Sequence, residues 1–185
     1  MSREAPRILV AGIGNIFLGD DAFGVEVVAQ LAKRKLPEAV RVIDFGIRAI
    51  DLTFALLDDF DVVILVDAVP RGGSPGQVYV IEAAVNQPQP MPDPAASLIE
   101  LHRLDPAKVL QLVAAFNGHV DRLLVVGCEP TPLDESGDIQ PGMSSAARDA
   151  IPVALEILIQ LLEELTGSQP QVRVEPWAEP AHAVN

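Results

Sequence analysis

The stretch DVVILVDAV at residues 61–69 constrains the fold more than any other part of the chain. It is apolar throughout except at Asp61 and Asp67. A run without polar alternation has no face to give to water. It suits a strand in the middle of a parallel sheet that is covered on both sides. Residues 7–12 and 121–128 read the same way. Between these runs the apolar residues fall at helical spacing, with Phe23, Val27, Val28 and Leu31 inside 22–35 and Ile50, Phe54 and Leu57 inside 49–57. A third helix is expected over 105–116, with Pro106 suited to its first turn. A fourth is expected over 144–165, where Pro152 should delay the start or kink the helix. Shorter strands are expected at 41–45 and 77–82. The second follows the tight turn PRGGSPG and is therefore expected to lie antiparallel at an edge. This alternation describes an α/β three-layer sandwich, phosphorylase/hydrolase-like, with a mostly parallel twisted sheet of about five strands and helices on both faces.

A chain of 185 residues can bury a real core in one domain. Residues 1–166 are expected to form it. Residues 167–185 turn to Pro, Gln and Glu, and are expected to be a disordered tail that adds nothing to the sheet. The net charge of −13 opposes nucleic acid, whose binding rests on phosphate neutralisation by Lys and Arg. With Cys128 as the single cysteine, neither an intrachain disulfide nor a cysteine-built zinc site can form. A reducing cytoplasmic location fits that count. No apolar stretch approaches the ~18–20 residues of a membrane span, so no membrane insertion is expected.

In such sheets ligands sit beyond the carboxyl ends of the strands, where the strand order reverses. The loop after the first strand, GIGNIFLGDDAFG at 12–24, looks at first like a phosphate cradle. Phe17 stands where a dinucleotide fingerprint needs its third glycine, and no Gly-Lys-Ser/Thr follows, so neither nucleotide motif is present. The loop delivers two acids instead. One of Asp20 and Asp21 is expected to cap the following helix, which leaves the other over. Asp67 closes the central apolar run, where a carboxylate is costly unless hydrogen-bonded, paired or metal-bound. His102 precedes a helix, while His119 and His182 read as surface and tail residues. An imidazole with two carboxylates makes a borderline-hard N/O set, suited to divalent nickel or zinc with a coordination position left open. Cys128 reads as a buried small hydrophobe rather than a nucleophile, since no base partner is evident.

GIGNIFLGDDAFGVEVV resembles the N-terminal signature of the hydrogenase maturation proteases, which process the large subunit of nickel–iron hydrogenases. The likeness continues through VVILVDAV, LHRLDPAKVL and VVGCEP, over about residues 7–165. It implies that Asp21, Asp67 and His102 form the catalytic and metal-recognition site, with Asp20 in a neighbouring acidic place. It implies an aspartic-type endopeptidase that removes the C-terminal extension of a nickel-loaded precursor. The precursor would be the partner and nickel would arrive with it. No cofactor would belong to the chain, and a divalent ion picked up by the free protein would be adventitious. Where the family has Asp-Gly-Gly after the second strand, this chain has Asp44-Phe45-Gly46. Two rival readings remain: a chaperone that checks nickel without cutting, and an enzyme like the peptidyl-tRNA hydrolases, which the negative charge disfavours. A nucleotide-binding module is opposed by the missing third glycine. The general base for peptide cleavage stays unassigned.

Overall fold

Each central strand buries both of its faces. Ile8, Val10, Val62, Ile64, Val66, Leu124 and Val126 point to one side, and Leu9, Ala11, Val63, Leu65, Leu123 and Val125 to the other. This is why the apolar runs show no alternation: period-two geometry sends successive side chains into two different cores.

The computed structural model describes residues 6–58, 60–83, 113–114, 118, 120–132, 142–167 and 175–176. The strands are β1 (Ile8–Ile13), β2 (Val40–Gly46), β3 (Val62–Ala68), β4 (Val78–Ala83), β5 (Arg122–Cys128) and β6 (Glu175–Pro176). The helices are α1 (Phe23–Leu31), α2 (Ala49–Ala55) and α3 (Ser145–Leu165), and a 3-10 turn at Gly19–Ala22 leads into α1. The sheet order is β2-β1-β3-β5-β4-β6. Strands β2, β1, β3 and β5 run parallel, and β4 lies antiparallel to β5. Helices α1 and α3 fill one face, while α2 and Val113 cover the other. The three-layer α/β architecture expected from the sequence is what forms. Among the described residues no helix is long and apolar enough to cross a membrane.

Four expectations need correction or limits. Helix α1 ends at Leu31, earlier than expected, because its apolar stripe ends there and Pro37 lies ahead. Strand β4 is antiparallel but not outermost, since Glu175–Pro176 pair in parallel with Ile81–Glu82. Two residues of the tail therefore do join the sheet. Pro176, which has no N–H to donate, is tolerated on an edge strand. Pro152 neither delays nor interrupts α3, which runs unbroken from Ser145. It sits on the exposed side, while Ala147, Ala150, Ile151, Ala154, Leu155 and Leu158 bury the opposite stripe. A proline inside a helix costs about 3 kcal/mol, and burial of that stripe outweighs it. The loop expected at 86–94 and most of the helix expected at 105–116 lie outside the described residues, although 113–114 are helical.

Candidate active site

Strand β1 pairs with β2 on one side and β3 on the other, so the strand order reverses beside it. The loops leaving β1 and β3 therefore diverge and open a crevice. The first carries Asp20 and Asp21, and Asp67 is the penultimate residue of β3.

Glycine shapes this crevice by admitting backbone where side chains would not fit. Gly14 has φ +127°, which other residues rarely adopt. A Cβ there would lie 1.8 Å from the Asp21 carbonyl oxygen and 3.7 Å from Asp67 Oδ1. Gly14 is thus wedged between the two acidic residues, and its smallness lets them approach. The loop is fixed from within. Asn15 N–H donates to Asp21 Oδ2 at 2.6 Å, and Phe17 N–H donates to Asn15 Oδ1 at 3.0 Å. Gly14 N–H donates to Gly46 O at 3.1 Å, tying this loop to the end of β2.

Asp67 lies partly open at the mouth of the crevice. Enough protein surrounds its carboxyl for burial to be the largest influence on it. Burial first, and the negative charge of Asp21 second, push its pKa up from 3.8 to about 8, against the Ala68 N–H that donates to Oδ1 at 2.7 Å. At neutral pH this pair holds a proton, because two close carboxylates in a sheltered site do not both ionise readily. A cation placed between them would relieve the same repulsion.

The remaining expected residues divide. His102, the third expected member of the site, lies outside the described residues, as do His119 and His182. No cluster of three or more metal-ligating side chains occurs among the described residues. Cys128 is 1% exposed, and burial, Asp20 and Glu129 push its thiol up to about 11. It behaves as the small core residue expected, not as a nucleophile.

The capping role expected of Asp20 or Asp21 is not found, since no side chain caps the 3-10 turn or α1. Asp20 reaches across the fold instead. Its Oδ1 accepts from Ser144 N–H at 2.6 Å, and its Oδ2 accepts from Thr131 N–H at 2.8 Å and from the Ser144 hydroxyl at 2.9 Å. Ser144 is the N-cap of α3 and in turn accepts from Ala147 N–H at 3.1 Å. Asp20 therefore binds the glycine loop to the segment after β5 and to the start of α3 through both of its carboxylate oxygens. Burial opposes its ionisation, but these hydrogen bonds outweigh burial and lower its pKa. The substitution Asp20→Asn should cost more than the ~1 kcal/mol of a lost cap. One amide NH2 must face a backbone N–H, so about 2–3 kcal/mol is expected, a fall of roughly 4–12 °C in Tm. Because the folded pKa is depressed, this difference is fully present above pH 3.8 and shrinks as pH falls below it. Thermal unfolding at neutral and acid pH measures both. A Tm within a degree of wild type would contradict the assignment.

Glu129 is a buried acid that the sequence reading missed. It is 5% exposed. It accepts from Arg71 N–H at 3.1 and 2.8 Å, from Gly72 N–H at 3.1 Å and from the Tyr79 hydroxyl at 2.9 Å. It holds the turn between β3 and β4, and its lowered pKa reflects those donors prevailing over burial. The signal was available: Asp67 lies at the end of an apolar strand, and Glu129 directly follows one.

Comparison with known proteins bears on the family and the fold. The hydrogenase maturation protease family (HycI) matches residues 25–161. The chain is 33% identical over 160 residues to the hydrogenase expression/formation protein HupD of Rhizobium leguminosarum bv. viciae, covering 85% of this chain and 75% of HupD. It is 29% identical over 159 residues to the hydrogenase 2 maturation protease of Escherichia coli K12, covering 85% and 92%. Among solved structures, the hydrogenase maturating endopeptidase HybD of E. coli superposes with a TM-score of 0.62 at 26% identity, covering 87% of this chain and 94% of HybD.

Proposed function

The chain belongs to the hydrogenase maturation protease family, and on that footing we propose that it is the endopeptidase that removes the C-terminal extension of a nickel-loaded NiFe-hydrogenase large-subunit precursor. One observation carries the reading most: Asp67, at the end of the central strand, is crowded by the charge of Asp21 at the switch point of the sheet. Such a pair invites a proton or a cation. Nickel held by the precursor would be that cation, and His102 would add a nitrogen donor to the two carboxylates. The metal is the substrate's cargo. A precursor without it presents nothing to the acid pair and is left uncut, so processing reports that loading is complete.

Two routes fit the cleavage step. In one, the substrate's nickel polarises the scissile carbonyl or activates the attacking water. In the other, the acid pair works as an aspartic-type dyad in which Asp67 carries the shared proton. Asp21 would then take a proton from water while Asp67 gives one to the departing amine. A carboxylate bound to metal is a weak proton acceptor, so one pair does not perform both tasks at the same moment.

The test crosses two variables. Protease with and without added divalent metal is mixed with precursor with and without nickel, and the precursor's mass is measured. Loss of the C-terminal fragment is expected only where the precursor holds nickel. Cutting of nickel-free precursor by metal-treated protease would make the metal a cofactor of this chain. Retention of full precursor mass in every mixture would leave a binding role without cleavage.

A further inference from the structure

Five of the seven large apolar side chains that stand in solvent among the described residues lie on the loop after β1 and at the turn from β2 into α2; the other two are Phe54 and Val153. Ile16, Phe17 and Leu18 are 55%, 80% and 42% exposed, and Ile47 and Ile50 are 71% and 50% exposed. The first three form the tip of the loop after β1. The other two flank the turn from β2 into α2. The loops meet where Gly14 N–H donates to Gly46 O at 3.1 Å. Both tips are held out by their own hydrogen bonds. Leu18 N–H donates to Asn15 O at 3.0 Å, Phe17 N–H donates to the Asn15 side chain at 3.0 Å, and the Arg48 guanidinium donates to Phe45 O at 3.1 Å and to Asp44 O. Beside Ile16 an open groove of about 640 Å³ leads on to α3, its walls mixed: Met143, Ile151 and Pro152 are apolar, while Glu26, Gln30 and Arg148 are polar. Clustered exposure of this kind marks an interaction surface.

We infer that these two loops dock an apolar surface on the folded body of the substrate protein, an inference that rests on the function proposed above. The position of the tips selects this occupant. The loop bearing Ile16, Phe17 and Leu18 is the one whose Asn15 holds Asp21, and a Cβ added at its Gly14 would lie 3.7 Å from Asp67 Oδ1. Whatever covers the tips therefore lies over the acid crevice, and it must either carry the reacting segment or block it. A second copy of the chain would block it, and would bring two bodies of charge −13 and two acid crevices face to face. An anionic membrane is opposed by the same charge. The one cation of the β2–α2 turn, Arg48, is occupied by backbone carbonyls and lies 3.7 Å from Asp51. Docking at the two loop tips is thus apolar.

The double substitution Phe17→Ser/Ile47→Ser, and separately Ile50→Gln, are compared with wild type on full nickel-loaded precursor. All of these side chains are exposed, so the variants should keep the wild-type Tm. The double substitution should raise KM at least about tenfold with kcat nearly unchanged, the signature of lost uniform binding. Ile50→Gln should raise it less, and low and high salt should give similar wild-type KM values. If the double variant fails to fold, Ile50→Gln decides. Wild-type KM in a folded variant would overturn the docking surface while leaving the protease reading intact. Absence of cutting by wild type would overturn both. A wild-type dimer in sedimentation that the double substitution dissociates, or wild-type binding to phosphatidylcholine vesicles that it abolishes, would assign the surface to another occupant and overturn the inference.

Discussion

Asp67→Asn is expected to abolish cleavage of the precursor while making the protein harder to unfold at alkaline pH. The two effects have one cause. Asp67 is the carboxyl that pays for a sheltered position beside Asp21, and its pKa rises to about 8 as a result. An amide keeps the shape and can still accept the Ala68 N–H. It loses the charge that would engage a cation and the proton that would serve as general acid. A loss of about 10²–10⁴-fold in rate is expected from the acid–base role alone.

The stability effect fixes the sign of the pH dependence. Folded Asp67 holds its proton up to about 8, whereas the ordinary value is 3.8. Between those values the folded state binds more protons than the unfolded state, so stability falls as pH rises. The contribution is complete below the unfolded value and is lost as pH climbs through the folded one. Its slope is at most about 1.4 kcal/mol per pH unit. Asp20 and Glu129 have lowered pKa values and act in the opposite sense at acid pH. Comparing variant with wild type cancels their share. In chelator-treated protein, the Tm of Asp67→Asn should pull ahead of wild type by several degrees between mildly acid and mildly alkaline conditions. A constant gap across that range would mean that Asp67 is not strained by its site. Full activity in a folded Asp67→Asn protein would remove it from the chemistry.

Asp67 was legible in the sequence because its signal is local: one acid at the end of an apolar run whose length already fixes it as a central strand. The switch point was legible for a similar reason, since alternating strands and helices leave few ways to order a parallel sheet. Asp20 was not. Its partners Thr131 and Ser144 lie 111 and 124 residues away, and a cap of the neighbouring helix was the cheaper local explanation. Pro152 misled because helix propensity is a local quantity, while the stripe that holds α3 in place is satisfied only by the sheet. The pairing of Glu175–Pro176 with β4 is equally non-local. His102 was a candidate from its place before an expected helix, and the family resemblance alone assigned it to the site; its place relative to the acid pair lies outside the described residues.

Gly24→Ala should lower Tm by roughly 6–12 °C, corresponding to about 3 kcal/mol, and reduce kcat in whatever folded protein remains. Helix propensity predicts the reverse, since alanine is favoured over glycine in a helix by ~1 kcal/mol. Packing decides. A Cβ at Gly24 would lie 2.0 Å from Val66 O and 2.3 Å from Ile13 O. Those atoms belong to the backbones of β3 and β1, whose two faces are both filled, so neither strand can retreat. Gly12 faces the same contact, with a Cβ there 2.7 Å from Gly24 O. Helix α1 must therefore lift at its first turn, and Asp21 stands only three residues before Gly24. The rise should displace Asp21 from Asp67 and couple the loss of stability to a loss of catalysis. Gly72→Ala is the control: its φ of +80° carries a backbone penalty, but nothing lies within 4 Å of the added carbon. It should cost only about 1–2 kcal/mol and leave kcat alone. Equal costs at the two positions would show that α1 has room to move, and that the close approach of its first turn to the sheet does not hold the acid pair together.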